Sequence, residues 1–445
     1  MKKLIDASPT KSLFIDNFTR DISLEDAILD LIDNSVDAYI KTRDVDVSKN
    51  MLFYKGERPT KSRGQVTLKV RHDLFEITDN CGGIDLQHAI TNVFRFGRVK
   101  DMEEKKSKTG SLGVYGIGLK RAIFKIGKKI RIESKTLDNG FFVEIDVENW
   151  LKNDDWTFAL QDSPKAEKLS KAGTKISISE LNPEITSRVK DPRFLKSLEN
   201  SIANTYTLFL NKIVEIKLNG LIIESNPVPI TSSKDLKPGR KEIVIENVNI
   251  EIITGLSDKI KGWRGDNAGW YIMCNGRVVV RADKTQATGW GVHSPEYHSK
   301  YRGFIGIAFF FSNDPEDLPW TTTKRGINAD SPIYQKVRSE MTHCATPVIS
   351  FLNRMYPNEA PEEVAERDAV EALEAISIPD IMTELPSLFE AKSNKSKKIT
   401  KSSIQYSVLK SDIDKIRRHL SRPKMTNTAV GMMTFQYYID NEIFE

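Results

Sequence analysis

The chain has 445 residues, 39% hydrophobic and 29% charged, with a formal net charge of +5. This length indicates two or three domains, and the composition is that of a soluble globular protein. Its apolar runs are too short to span a bilayer, and its three scattered cysteines form neither a disulfide framework nor a paired-cysteine metal site, so we expect a cytoplasmic protein without a membrane partner.

Helices and strands mix without regular alternation in the first part of the chain. Apolar residues at helical spacing predict helices at residues 23–41, 86–94 and 117–126. Strands are predicted at 65–70, 74–78, 129–134, 141–147 and 174–179, and a polar, lysine-rich loop at 98–109. This order favours an α+β sandwich, and we predict a first domain at residues 1–182.

A second α/β domain is predicted at residues 193–353. Its strands are expected near 213–218, 243–254, 270–273, 278–281 and 304–311, with a helix from Pro332. An acidic helix and a basic linker follow at 354–403, and a small C-terminal helical module at 404–445. The basic charges of 391–424 either face nucleic acid or are simply solvated.

The first helix carries Asp30, Asn34 and Asp37 on one face, opposite a leucine and isoleucine stripe. Carboxylate and amide oxygens suit magnesium and a nucleophilic water. An ordinary solvated helix face explains the same pattern equally well.

A second candidate element is Asp79, which ends a strand and is followed by Cys81, Gly82 and Gly83. Its carboxylate can accept a hydrogen bond from the amino group of adenine, while the glycines let the backbone approach the base. A plain Asp-Asn turn before glycine is the alternative.

Residues 110–120 are glycine-rich, follow several lysines and open a predicted helix. Backbone N–H groups at a helix start favour phosphate binding. The segment is neither a P-loop nor a Rossmann turn, because no Gly-Lys-Ser/Thr closes it and no strand feeds it. A structural glycine loop is the alternative, and Gly173-Thr174 at a strand start is a fourth, weaker element.

In this order and spacing, the four segments resemble the N, G1, G2 and G3 boxes of the GHKL ATPases (gyrase B, heat-shock chaperones, histidine kinases and MutL), over roughly residues 20–180. The resemblance implies a Bergerat-type ATP-binding sandwich followed by a transducer-like, S5-like domain, with ATP and Mg²⁺ bound. Asn34 would hold magnesium, Asp30 would be the general base, and Asp79 would read adenine. The other implied nucleotide contacts are Asp37, Gly83, Lys100, Ser111, Leu112, Gly113, Val114, Tyr115, Gly116, Ile117, Gly118, Leu119, Lys120 and Thr174, and residues 98–112 would form the ATP lid.

The form of the third box, residues 113–120, looks more like MORC-type ATPases, as do residues 94–97 and 318–328. In that likeness Lys324 would reach the terminal phosphate from the second domain, since a lysine on a loop is a movable point charge. Two residues depart from the family pattern: Asp30 replaces the usual glutamate, and Cys81 replaces the first glycine of its box. The shorter Asp30 predicts slow hydrolysis.

The resemblance implies a Mg²⁺-dependent ATPase switch that forms a homodimer on ATP and acts on a partner, with DNA favoured. A chaperone clamp is one alternative. Another is a non-hydrolysing sensor or scaffold whose C-terminal module binds an unknown protein. The second domain also contains a group of tryptophans and arginines. They form either a stacking surface for nucleic acid or the core and rim of the domain. These residues are Trp263, Trp270, Trp290, Arg264, Arg277 and Arg281.

Overall fold

The computed structural model describes residues 10–45, 47, 63–96, 110–113, 116–162, 171–210, 212–228, 230–257, 263, 265–355, 385–391 and 404–442. They fall into two compact units that divide between residues 393 and 394. None of the helices within these ranges is both long and apolar enough to span a membrane.

An eight-stranded sheet organises the first part of the chain, with strand order β5-β4-β3-β6-β2-β1-β7-β8. Neighbouring strands are antiparallel except β1 and β7, which are parallel. The strands are β1 (Gly64–Val70), β2 (Leu74–Asp79), β3 (Gly127–Lys135), β4 (Gly140–Asp146), β5 (Leu160–Asp162), β6 (Gly173–Leu181), β7 (Val214–Leu218) and β8 (Leu221–Ile222).

The helices of this part are α1 (Lys11–Arg20), α2 (Leu24–Arg43), α3 (Leu86–His88) with a π-helical turn at Ala89–Val93, α4 (Gly118–Ile126), α5 (Val147–Leu151), α6 (Pro183–Val189) and α7 (Pro192–Thr205). Ser23 caps α2 by accepting a hydrogen bond from the Asp26 N–H, and acidic residues in the first turn match the helix dipole. Apolar residues of α2 pack into the core beside the sheet, and α2 also contacts α4.

The second sheet has the order β11-β12-β15-β13-β14, with β9 paired to β12. Its strands are β9 (Ile230–Thr231), β11 (Gly239–Ile245), β12 (Val248–Ser257), β13 (Gly269–Cys274), β14 (Arg277–Asp283) and β15 (Phe304–Phe311). A separate two-stranded ladder joins β10 (Leu236–Lys237) to β16 (Glu390–Ala391), and α8 (Pro332–Met355) covers one face of the second sheet.

The two faces of β15 belong to two different hydrophobic cores. Ile305, Ile307 and Phe309 join the core of the first sheet, whereas Phe304 and Phe310 pack with the residues of α8. This two-residue alternation places the second sheet directly against the first core. Residues of the two sheets can therefore meet at one site.

The predicted mixed α+β fold is confirmed, and the predicted helices at 23–41 and 117–126 correspond to α2 and α4. The strand expected at 213–218 is present as β7, but its assignment to the second domain is wrong, because β7 pairs with β1 and extends the first sheet. The domain boundaries stay predictions. The predicted loop at 98–109 and most of the acidic helix lie outside the described residues. After residue 393 the described elements are α9 (Lys410–His419) and α10 (Asn427–Glu442).

Candidate functional site

Asp37 of α2 anchors the glycine-rich loop. Its carboxylate accepts hydrogen bonds from the N–H groups of Leu112 and Gly113, both at 2.7 Å, and from the Ser111 hydroxyl at 2.8 Å. Burial raises the pKa of Asp37, and the hydrogen bonds from Leu112 and Ser111 oppose that rise. Three residues predicted to contact phosphates are thus held against the helix that carries the predicted metal ligand.

The loop leads into α4 through Gly116, whose φ of +62° favours glycine. Ile117, the residue at the N-cap of α4, makes no side-chain capping hydrogen bond to the first turn. Gly118 lies so close to α2 that a Cβ atom would stand 3.3 Å from the Asp30 carboxyl carbon. This arrangement of Ile117, Gly118 and Leu119 suits an anion at the helix start. The predicted contacts Lys100, Val114 and Tyr115 lie outside the described residues.

Asp30, the predicted general base, is buried beside a cation that the sequence reasoning missed. Arg121 of α4 donates from Nη2 to Asp30 Oδ2 at 2.8 Å. The Lys324 ammonium lies 3.9 Å from Asp30 Oδ1. The missed signal was helical phase, because Arg121 lies three residues after Gly118 and so faces the same side of α4.

Asp79 and Thr174 are brought together at the other end of the site, as the resemblance implies. Asp79 Oδ1 accepts from the Cys81 N–H at 2.8 Å and the Thr174 N–H at 3.3 Å, and Oδ2 accepts from the Ser35 hydroxyl at 2.9 Å. Burial raises the pKa of Asp79, with the Cys81, Ser35 and Thr174 hydrogen bonds opposing the rise. Cys81 is itself a buried residue packed in the core.

Two glycines near Asp79 lie so close to neighbouring backbone that neither position has room for a side chain. A Cβ atom at Gly173 would lie 2.0 Å from the Asp79 carbonyl oxygen. A Cβ atom at Gly83, where φ is +76°, would lie 2.0 Å from the Lys135 carbonyl oxygen. Both positions therefore require glycine, because the backbone segments on either side of Asp79 approach each other closely.

Lys120 has a side-chain role that differs from the predicted phosphate contact. Its ammonium is buried and donates to the carbonyl oxygens of Val93 at 2.9 Å and Arg95 at 2.7 Å. Burial lowers the pKa of Lys120 to about 8. These carbonyls occupy the side chain, which leaves any nucleotide contact of Lys120 to its backbone.

The second sheet reaches α2 through a buried cluster around Asp33. Lys324 Nζ donates to Asp33 Oδ2 at 2.7 Å, while Arg277 Nε donates to Oδ1 at 3.0 Å. The Tyr206 hydroxyl donates to the same Oδ1 at 2.7 Å. Burial alone would raise the pKa of Asp33, but Arg277 and Lys324 hold it below its ordinary value. Lys324 is therefore placed at the predicted site.

Arg277 belongs to a β-hairpin tip that also contacts the glycine-rich loop. Asn275 and Gly276 join β13 to β14 with φ values of 47° and 84°, which is a two-residue hairpin turn. Asn275 Nδ2 donates to the Ser111 carbonyl oxygen at 2.9 Å. The Asn-Gly pair between two predicted strands was the signal that could have located this tip. Burial of Trp270, Trp290 and Arg277 confirms the core alternative for these three residues.

Asn34, the predicted magnesium ligand, is exposed on α2, and no residue in the described ranges bonds to its amide. The described residues contain no group of three or more His, Cys, Asp or Glu side chains placed to hold a metal ion. A single amide oxygen suits magnesium that takes its remaining ligands from phosphates and water, as this ion commonly does in nucleotide sites. The residues present are compatible with such a cation.

Residues 22–177 match the family model described as histidine kinase-, DNA gyrase B- and HSP90-like ATPase. No curated protein matches the chain. The matched segment spans α2, the glycine-rich loop, Asp79 and Thr174. It supports placement of this segment in the GHKL superfamily, whose ATPase domains bind ATP, usually with Mg²⁺.

Proposed function

We propose that this protein is a Mg²⁺-dependent ATPase that uses bound ATP as a conformational switch. The observation that carries the proposal is the position of Lys324. Its ammonium lies 2.7 Å from Asp33 and 3.9 Å from Asp30, at the helix that also anchors the glycine-rich loop. A mobile cation supplied there by the second sheet is suited to sense a terminal phosphate.

The other residues then have distinct roles. Asp79 would accept from the adenine amino group, and the N–H groups at the start of α4 would bind phosphate oxygens, with residues 111–113 held beside them by Asp37. Asn34 would hold magnesium, which neutralises phosphate charge when bound. Arg121 occupies Oδ2 of Asp30, so Oδ1 is the oxygen that would take the proton from the attacking water.

Nucleotide binding and turnover of three variants test these roles. Asp79→Asn should abolish nucleotide binding, whereas Asp30→Asn should keep binding and lose turnover by about 100-fold or more, the range for a general base. Asp138→Asn, an exposed turn residue, is the matched control. Unchanged ATP affinity in Asp79→Asn would show that the site is wrongly assigned.

A non-hydrolysing ATP sensor is the second candidate, and the Asp30–Arg121 pair is the observation that favours it. Arg121 holds one oxygen of this carboxylate at 2.8 Å and the Lys324 ammonium lies 3.9 Å from the other, so both cations compete with an attacking water for Asp30. Tight ATP binding by the wild-type chain without turnover would select this candidate over the ATPase.

The same proposal extends to an ATP-dependent homodimer of MORC-like type that acts on DNA. Support comes from the sequence likeness of residues 113–120 and 318–328 and from the net charge of +5. Light scattering should detect a dimer only with a non-hydrolysable ATP analogue and magnesium, and not with ADP. DNA binding should then weaken steeply with salt. A monomeric mass under every nucleotide condition would contradict the proposed ATP-dependent dimer.

A protein partner for the C-terminal module is a separate part of the proposal. The helix α10 exposes Phe435, Tyr437 and Tyr438. Aromatic side chains of this kind are enriched at protein interfaces. Deletion of residues 404–445 should then abolish recruitment of that partner and leave ATP binding intact.

A further inference from the structure

Asp33 makes more charged contacts than a structural carboxylate on a helix requires. It is 1% exposed, and both of its oxygens are used: Arg277 and Tyr206 donate to Oδ1, and Lys324 donates to Oδ2. Arg277 is also 1% exposed. Burial alone would lower the pKa of Arg277, but the Asp33 carboxylate raises it above its ordinary value. The pair of Arg277 and Asp33 is thus a permanent buried ion pair.

Lys324 can leave this cluster without stranding either carboxylate. Asp30 would keep Arg121 at 2.8 Å, and Asp33 would keep Arg277 at 3.0 Å. Leaving a buried carboxylate unpaired is strongly destabilising, and this arrangement avoids that cost. Departure of the Lys324 ammonium toward a nearby anion is therefore electrostatically feasible.

The backbone of Lys324 is held in place while its side chain has this freedom. Its φ is +54°, an uncommon value for a residue other than glycine. Its N–H donates to the Thr321 carbonyl oxygen at 2.9 Å, and Arg277 Nη1 donates to the Lys324 carbonyl oxygen at 2.5 Å. Arg277 therefore fixes both the backbone of Lys324 and the carboxylate that its ammonium contacts.

We infer that Asp33 is the resting counterion of Lys324 and that Arg277 is the positioning residue for both. This inference rests on the proposed function, in which Lys324 senses the terminal phosphate. The terminal phosphate must then compete with Asp33 for the ammonium. Discrimination between ATP and ADP is consequently weaker than Lys324 alone would provide.

The ratio of ADP to ATP-analogue dissociation constants, measured by calorimetry with magnesium, tests the inference. Lys324→Met should bring the ratio about tenfold closer to one. Asp33→Asn and Asp33→Ser should each raise the ratio about tenfold, because the ammonium loses its competing partner. Arg277→Met should lower the ratio, because Lys324 then loses its positioning residue and Asp33 is left to hold the ammonium alone. The non-hydrolysable analogue AMP-PNP serves as the triphosphate.

A matched control is the double variant Lys241→Met/Glu340→Gln, which removes a partly exposed ion pair of the second sheet and α8 at 2.6 Å. Its ratio should equal that of the wild type. Tryptophan fluorescence during urea unfolding establishes which variants are folded before binding is measured.

The outcomes separate the inference from the function on which it rests. A higher ratio in folded Asp33 variants, together with a lower ratio in Lys324→Met, supports the inference. An unchanged or lower ratio in the Asp33 variants overturns it while the sensor role of Lys324 survives. If Lys324→Met itself leaves the ratio unchanged, the sensor role fails, and absence of nucleotide binding by the wild type refutes the proposed function.

Discussion

Replacement of Lys120 by methionine should change how the stability of the first unit depends on pH. Lys120 is 2% exposed, and burial lowers its pKa to about 8 from an ordinary 10.5. In the unfolded chain the pKa returns to its ordinary value. Between pH 8 and 10.5 the Lys120 side chain therefore binds more protons in the unfolded chain than in the folded one, and its contribution to stability rises with pH across that window.

The size of this rise follows from the shift. A difference of about 2.5 pKa units at 1.36 kcal/mol each corresponds to about 3 kcal/mol. Methionine has no such titration, so the stability difference between wild type and Lys120→Met should move by about 3 kcal/mol in favour of the wild type between pH 8 and 10.5. Loss of the hydrogen bonds to Val93 and Arg95 contributes to the stability difference between wild type and Lys120→Met at neutral pH. It does not change the direction in which that difference moves with pH.

Urea unfolding followed by tryptophan fluorescence at pH 7.5, 9 and 10.5 measures this difference. All six tryptophans lie before residue 393, so the signal reports on the first unit. Lys190→Met, at an exposed position, controls for the loss of a lysine as such. A difference that stays flat with pH would refute the reasoning, because it would mean that the Lys120 ammonium does not experience the desolvation that its burial implies.

Two further variants test the two ends of the candidate site. Asp37→Asn weakens three hydrogen bonds to the glycine-rich loop. Calorimetry should therefore find ATP affinity about 10- to 100-fold lower and adenosine affinity unchanged. An equal loss of affinity for both ligands would contradict a role of Asp37 at the phosphate side of the site. Gly173→Ala places a Cβ atom 2.0 Å from the Asp79 carbonyl oxygen and should lower stability by about 1–3 kcal/mol and abolish nucleotide binding. At Gly265 a Cβ atom would meet none of the described residues within 4 Å, so Gly265→Ala should change neither property. Similar behaviour of the two alanine variants would show that the backbone at Gly173 relaxes freely.

The elements that carry the candidate site could be predicted because their signals are local. Ser23, the apolar stripe and the basic last turn define α2 within a few residues, and the glycines before Leu119 mark the start of α4. The approach of Asp79 and Thr174, which are far apart in the chain, followed from the family resemblance rather than from any local pattern. The strand at 213–218 was assigned to the wrong sheet because its parallel pairing with β1 depends on contacts distant in sequence.

The buried cations could not be predicted, since composition does not separate a buried arginine from a solvated one. Helical phase places Arg121 on the same face of α4 as Gly118, and the core alternative covered Arg277, but neither signal identified the carboxylate partner of the arginine. Tyr206 carried no signal at all. Arginine is mostly exposed in proteins, so a buried ion pair is not the default expectation for this residue type. The Asn-Gly turn at 275–276 indicated a hairpin, but not which part of the molecule its tip would contact.

The contacts of the second sheet with α2 and the glycine-rich loop have a mechanical consequence. Asn275 and Arg277 come from one hairpin tip, and Lys324 comes from a loop closed by the bridge between Trp320 and Ile327. The hairpin tip is held by the pairing of β13 with β14, and the loop is held by its closing bridge. Residues of β13, β14 and β15 pack on the first core. A shift of the loop at Ser111 would therefore break a part-buried hydrogen bond unless the hairpin moved with it. Under the proposed function, a nucleotide that repositions the loop would act on the second sheet through this contact.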